Sequence, residues 1–107
     1  MFYLPLYHHL QGQKCLVIGA GQTALRKLRW LLRAGADVTV MAPVIEPKIQ
    51  AMADAGELHL QQAHFHPEII SSDLRLVICA TDAPDVSEQA HARAVQLNVL
   101  VNCVDRT

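Results

Sequence analysis

Short apolar runs alternate with longer stretches of helical spacing along the whole chain. Cys15-Leu16-Val17-Ile18 is continuously apolar, the pattern of a strand covered on both faces. Gly19-Ala20-Gly21 follows, and a helix is predicted over residues 22–34. There Ala24, Leu25, Leu28, Leu31 and Leu32 fall on one stripe, with Arg26, Lys27, Arg29 and Arg33 turned away as a solvated face. Gly35 is the stop expected of a residue that takes positive φ. Val38-Thr39-Val40-Met41 predicts a second strand, and residues 45–55 a second helix in which Pro47 is tolerable only in the first turn. A short third strand is expected at Leu58-His59-Leu60, a turn or helical fragment around residues 66–70, and a central strand over 74–80. Thr81-Asp82-Ala83-Pro84 reads as a loop leading into a helix over 85–97, and residues 99–104 supply a fifth strand. Strand and helix in strict alternation mean parallel pairing with right-handed crossovers. The expected architecture is an α/β, doubly wound sheet of five strands in the order 3-2-1-4-5. Its binding crevice lies outside the carboxyl ends of strands 1 and 4.

Composition narrows the classes. With 107 residues, 51% apolar and 18% charged, the chain is one domain with a packed core. A formal net charge of −1 argues against a nucleic-acid binder working through a broad cationic face. No run reaches the ~18 consecutive apolar residues of a membrane span. The start, Met1-Phe2-Tyr3-Leu4-Pro5-Leu6-Tyr7, lacks the basic stretch and cleavage site of a signal peptide, so a cytoplasmic location is expected. Cys15, Cys79 and Cys103 are odd in number, show no CxxC spacing and sit in apolar strand runs. They read as buried strand thiols rather than a zinc or disulfide framework. The six histidines read as surface or turn residues: His8 and His9 are adjacent, His64 and His66 lie by a loop proline, and His59 and His91 are isolated. Trp30 is expected to pack at an edge. Asp105-Arg106-Thr107 leave the fifth strand at the crevice, so residues 1–107 read as the N-terminal part of a longer chain.

Gly19-Ala20-Gly21-Gln22-Thr23-Ala24 fits G-x-G-x-x-A between a buried strand and a helix, which makes the domain Rossmann-like. Gly19 allows the tight turn, Gly21 lets backbone approach a pyrophosphate, and Ala24 keeps helix and strand close. Free amides near Gln22 and Thr23 and the helix dipole attract the phosphate charge. No acid stands about 20 residues further on to hold ribose hydroxyls. The adenosine would instead rest on backbone groups and on Pro43 and Val44. No cation is placed for a 2′-phosphate, which favours NAD over NADP. Thr81 and Asp82 stand on the nicotinamide side, where both can touch the cofactor's ribose or carboxamide, or Asp82 only orders the turn before Pro84. Asn102 and Asp105 flank the end of strand 5, where a carboxylate either accepts a proton or binds a metal ion, or, as is commoner at a strand end, is simply solvated.

Taken together, Leu4-Pro5-Leu6, the glycine turn, Ala24-Leu25-Arg26-Lys27-Leu28-Arg29-Trp30-Leu31-Leu32, Val38-Thr39-Val40-Met41-Ala42-Pro43, Ala80-Thr81-Asp82 and Val101-Asn102-Cys103-Val104-Asp105 resemble a known family over nearly the whole chain. It is the N-terminal domain of siroheme synthase and the related precorrin-2 dehydrogenase/sirohydrochlorin ferrochelatases. The resemblance implies oxidation of precorrin-2 to sirohydrochlorin with NAD⁺, then insertion of Fe²⁺ as the substrate metal. It further implies NAD contacts at Gln22, Thr23, Pro43 and Val44, and a homodimer formed through residues beyond 107. Asp105 matches the aspartate implicated in both dehydrogenation and metal insertion, including transient contact with Fe²⁺. The chain departs from the family at His64-Phe65-His66-Pro67 and at Leu25, where an acidic residue is common. The tetrapyrrole substrate carries many carboxylates, yet the chain has few basic residues, so much of its pocket is expected beyond Thr107. Two other readings share the glycine turn: an NAD(H)-sensing regulatory domain, and another small-molecule NAD-dependent dehydrogenase.

Overall fold

The computed structural model describes residues 10–103. Five strands, β1 (Lys14–Ile18), β2 (Asp37–Ala42), β3 (His59–Gln62), β4 (Leu76–Cys79) and β5 (Leu100–Cys103), form one sheet in the order β3-β2-β1-β4-β5. Every pairing is parallel, as the alternation of elements requires. Helices α1 (Gln22–Arg33), α2 (Pro47–Asp54) and α3 (Pro84–Gln96) make the crossovers, with a 3₁₀ turn at Pro67–Ile69. Ile18 is level with both Met41 and Cys79, so the turn leaving β1 emerges between the ends of β2 and β4.

The alternation inside each strand divides the core. Cys15, Val17, Val38, Val40, Leu76 and Ile78 face a cluster closed by Leu25, Leu28 and Leu31 of α1 and Ile49 of α2. Leu16, Ile18, Met41, Val77 and Cys79 face the other side, where Ala90 and Ala94 let α3 lie close to the sheet. Burying each large apolar side chain contributes about 1.5–3 kcal/mol, and strands covered on both faces need no polar alternation. That is why β1 and β4 read as unbroken apolar runs.

Several boundaries differ from the sequence expectation. β4 is shorter than residues 74–80 at both ends, because Leu74 N–H bonds back to Ser71 in a turn and Arg75 N–H to Lys14 O. β3 starts at His59 rather than at Leu58 and runs on to Gln62. α2 begins at Pro47, not residue 45, because the Glu46 side chain caps it by accepting from Lys48 N–H at 3.3 Å. Gly35 at φ 80° ends α1 as expected, while Asn98, at φ 59°, turns the chain after α3. Lys27 is half-buried rather than solvated, its Nζ 5.1 Å from the centroid of the Trp30 ring. Cys103 is exposed, against the expectation of three buried thiols, because β5 is an edge strand. His59 lies 3.3 Å from Asp37 and His66 3.5 Å from Glu68. His8, His9 and Asp105 fall outside the described residues.

The two buried thiols link the core to pH. Burial, then the charge of Asp37, pushes the Cys15 thiol up to about 11, with Arg75 opposing. Burial, then the Cys103 side chain, pushes Cys79 up to about 12. An unfolded thiol titrates near about 8.5, so at alkaline pH the folded chain keeps protons that the unfolded chain releases. Stability from this source is whole below that value and falls as pH rises toward the folded values, by up to about 1.4 kcal/mol per pH unit for each thiol. Thermal melts are expected to show a Tm declining above pH 9, and a Cys15→Val, Cys79→Ala double variant a flatter decline. An identical slope in both would remove the thiols from the account.

Candidate functional site

The glycine turn is shaped by its neighbours. Gly19 N–H donates to Met41 O at 2.9 Å and Ala80 N–H to Ile18 O at 2.7 Å, which ties the turn to the ends of both flanking strands. Gly19 takes φ 110°, and a Cβ built there would lie 2.5 Å from Ala80 O. Only glycine lets β4 pass so close. Gly21 differs: its φ is −101°, and a Cβ there would meet nothing within 4 Å. Its bareness is aimed at open space.

That space is the start of α1. The first helical bond, from Leu25 N–H to Gly21 O, leaves the amides of Gln22, Thr23 and Ala24 ahead of the ladder, without intrahelical acceptors. Gly21 provides no side-chain cap, and the first turn holds no acid. α2, by contrast, is closed by Glu46 and Pro47, and α3 carries Pro84 and Asp85 in its first turn. The N-terminus of α1 therefore presents amides and positive dipole charge, the arrangement suited to a phosphate.

Around it lies a cleft of about 390 Å³. Gly19, Gly21, Gln22 and Thr23 line its floor, Pro43 and Val44 one wall after β2, and Thr81 and Asp82 the other after β4. All eight residues singled out for a cofactor in the sequence, Asp105 aside, thus meet in one place. Val44 is 78% exposed, an apolar side chain standing in water at the mouth of the cleft. The Thr81 hydroxyl accepts from Ala83 N–H at 3.2 Å, so Thr81 helps order the turn before Pro84 and keeps its own O–H to donate. Asp82 is exposed and is the one charged side chain in the lining.

Two contributors were not foreseen from sequence. Glu46 N–H donates to Ala20 O at 2.9 Å, pinning the start of α2 onto the glycine turn. Gln62 Nε2 donates to Pro43 O at 3.2 Å, holding the wall after β2. Gln62 had no signal beyond its place after a short strand; Glu46 before Pro47 could have been read as a cap. Among the described residues no group of three or more His, Cys, Asp or Glu side chains could hold a metal ion, and no helix is long and apolar enough to cross a membrane.

An NAD-type dinucleotide fits this cleft on the structure's own terms: open space beside a Gly21 that carries no side chain, helix amides without intrahelical acceptors, and an apolar wall. Known proteins agree. Residues 6–107 match the family described as "Putative NAD(P)-binding". The siroheme synthase of Nitrosococcus oceani is 44% identical over 98% of this chain, and those of Aeromonas hydrophila and Chromobacterium violaceum are 41% and 38% identical over the same share. The chain spans 22% of the length of each of these relatives. Among solved structures, SirC, a precorrin-2 dehydrogenase, superposes over 92% of this chain and 47% of its own with a TM-score of 0.72 at 24% identity. The D-lactate dehydrogenase of Escherichia coli does so over 87% of this chain and 28% of its own with a TM-score of 0.64 at 15% identity, so both share the fold. The Rossmann-like sheet and the likeness to siroheme synthases both hold, and the chain belongs to the NAD(P)-binding family that its residues 6–107 match.

Proposed function

We propose that this chain is the NAD-binding domain of a cytoplasmic siroheme synthase. The whole protein would oxidise precorrin-2 to sirohydrochlorin and then insert Fe²⁺. One observation carries the reading: the bare N-terminus of α1 opens into a cleft shared by the ends of β2 and β4, in a chain 44% identical to a siroheme synthase. In this reading the amides of Gln22 and Thr23 hold the pyrophosphate, with Gly19 and Gly21 keeping side chains out of its way. Pro43 and Val44 cover the adenosine. Thr81 and Asp82 orient the nicotinamide end. The bound cofactor supplies the hydride acceptor, and the protein contributes orientation and electrostatics.

Asp105 follows β5 by two residues, and β5 ends beside β4 at the rim of the same crevice. We assign it the proton released as the macrocycle is oxidised, and contact with Fe²⁺ during insertion. Among the described residues the cleft lining holds no cation to pair with a carboxylate-rich tetrapyrrole. Most of the substrate pocket, and the homodimer contacts, are therefore assigned to sequence outside residues 1–107.

Asp105→Asn in the full-length protein tests the assignment. Expected is NAD binding at the wild-type level, dehydrogenase turnover reduced by about 100-fold or more, and chelatase activity lost with it. A variant that turns over precorrin-2 normally would remove the carboxylate from the mechanism. Residues 1–107 alone are expected to bind NAD without oxidising precorrin-2, and measured turnover by them would place the substrate pocket in this domain.

A further inference from the structure

Two of the three cysteines lie side by side. The β4–β5 register sets Cys79 against Cys103. In-register neighbours in a parallel sheet send their side chains to the same face, here the face covered by α3. Adjacent strands run about 4.8 Å apart, within the Cα separation of about 4.4–6.8 Å that a disulfide spans. Cys103 Sγ lies 3.9 Å from Ser87 O on α3, the helix that covers this face. Cys79 is 1% exposed, whereas Cys103 is open to solvent and borders an apolar recess with His91 and Ala92. Cys15 belongs to the core on the opposite face of the sheet.

We propose that Cys79 and Cys103 form a dithiol modification site, which a hydroperoxide closes to a cross-strand disulfide. The exposed Cys103 sulfur attacks the peroxide; the O–O bond breaks, and the departing oxygen leaves as water, carrying the Cys103 proton, when the oxidant is hydrogen peroxide. The Cys79 sulfur then attacks the resulting sulfenic acid. The S–O bond breaks and the hydroxyl leaves with the Cys79 proton as a second water. Two thiols lose two electrons and one peroxide gains them. Burial keeps Cys79 protonated, so the second step waits on local opening of β5, an edge strand whose Leu100 is half exposed.

The test takes the reduced full chain, exposes it to hydrogen peroxide, alkylates it in denaturant and maps the peptides without reduction. Expected is the loss of two alkylatable thiols, a linked peptide joining residues 79 and 103, and an unchanged Cys15. Cys103→Ser should protect Cys79 entirely, and Cys79→Ser should leave Cys103 as a sulfenic acid trapped by dimedone. Phenylarsine oxide should mask both thiols of the wild type and neither thiol in the single variants. Cys103 oxidised or joined to another chain while Cys79 still alkylates would overturn the proposal. None of these readouts depends on NAD binding or turnover.

Discussion

Gly19→Ala is expected to cost at least about 3 kcal/mol of stability. Part of the cost is backbone strain, because φ at this position is 110° and an L side chain there is strained by about 1–3 kcal/mol. The rest is steric: the new Cβ would stand 2.5 Å from Ala80 O and 2.8 Å from Ala80 C, atoms of main chain that cannot rotate away. Relief requires β1 and β4 to separate where Ala80 N–H bonds Ile18 O, at the centre of the sheet. For a domain whose total stability is about 5–15 kcal/mol, Tm should fall by at least about 12 °C, and part of the sample should be unfolded on purification. A melting curve within a few degrees of wild type would mean that the close approach of β4 to the turn is not as described.

Gly21→Ala is expected to leave the fold intact and weaken NAD binding tenfold or more. The backbone at this site is already extended and the space around a Cβ is empty, so strain and clash are both absent. A lower unfolded-state entropy offsets a weaker helix cap, each effect being about 0.5–1 kcal/mol. A pyrophosphate bound to the amides of Gln22 and Thr23 must approach to about 2.9 Å, and the added methyl stands in that approach. Tenfold in affinity corresponds to about 1.4 kcal/mol. Calorimetric titration with NAD⁺ beside a thermal melt separates this outcome from that of Gly19→Ala, where stability and binding fall together. Wild-type affinity in Gly21→Ala would move the dinucleotide off the glycine turn.

These two glycines show how far a sequence can be read. Both stand in G-x-G-x-x-A, and the motif by itself located the turn, the helix after it and the cleft. Their different duties depend on what passes nearby: Ala80 is 61 positions along the chain from Gly19 and meets it only because β4 pairs with β1.

Periodicity was enough for the parallel pairing and the crossovers, because a parallel sheet covered on both faces imposes unbroken apolar runs and amphipathic helices on its sequence. It was also enough to nominate Pro43, Val44, Thr81 and Asp82, since residues following β2 and β4 reach the switch point in any such sheet. Local composition could not say that Lys27 lies over Trp30, that Gln62 holds Pro43, or that Cys103 is exposed while Cys79 is buried. Those facts depend on which strand is the edge and which side chains the register brings level. Such contacts join residues far apart in the chain, and they are decided only when the whole sheet has closed.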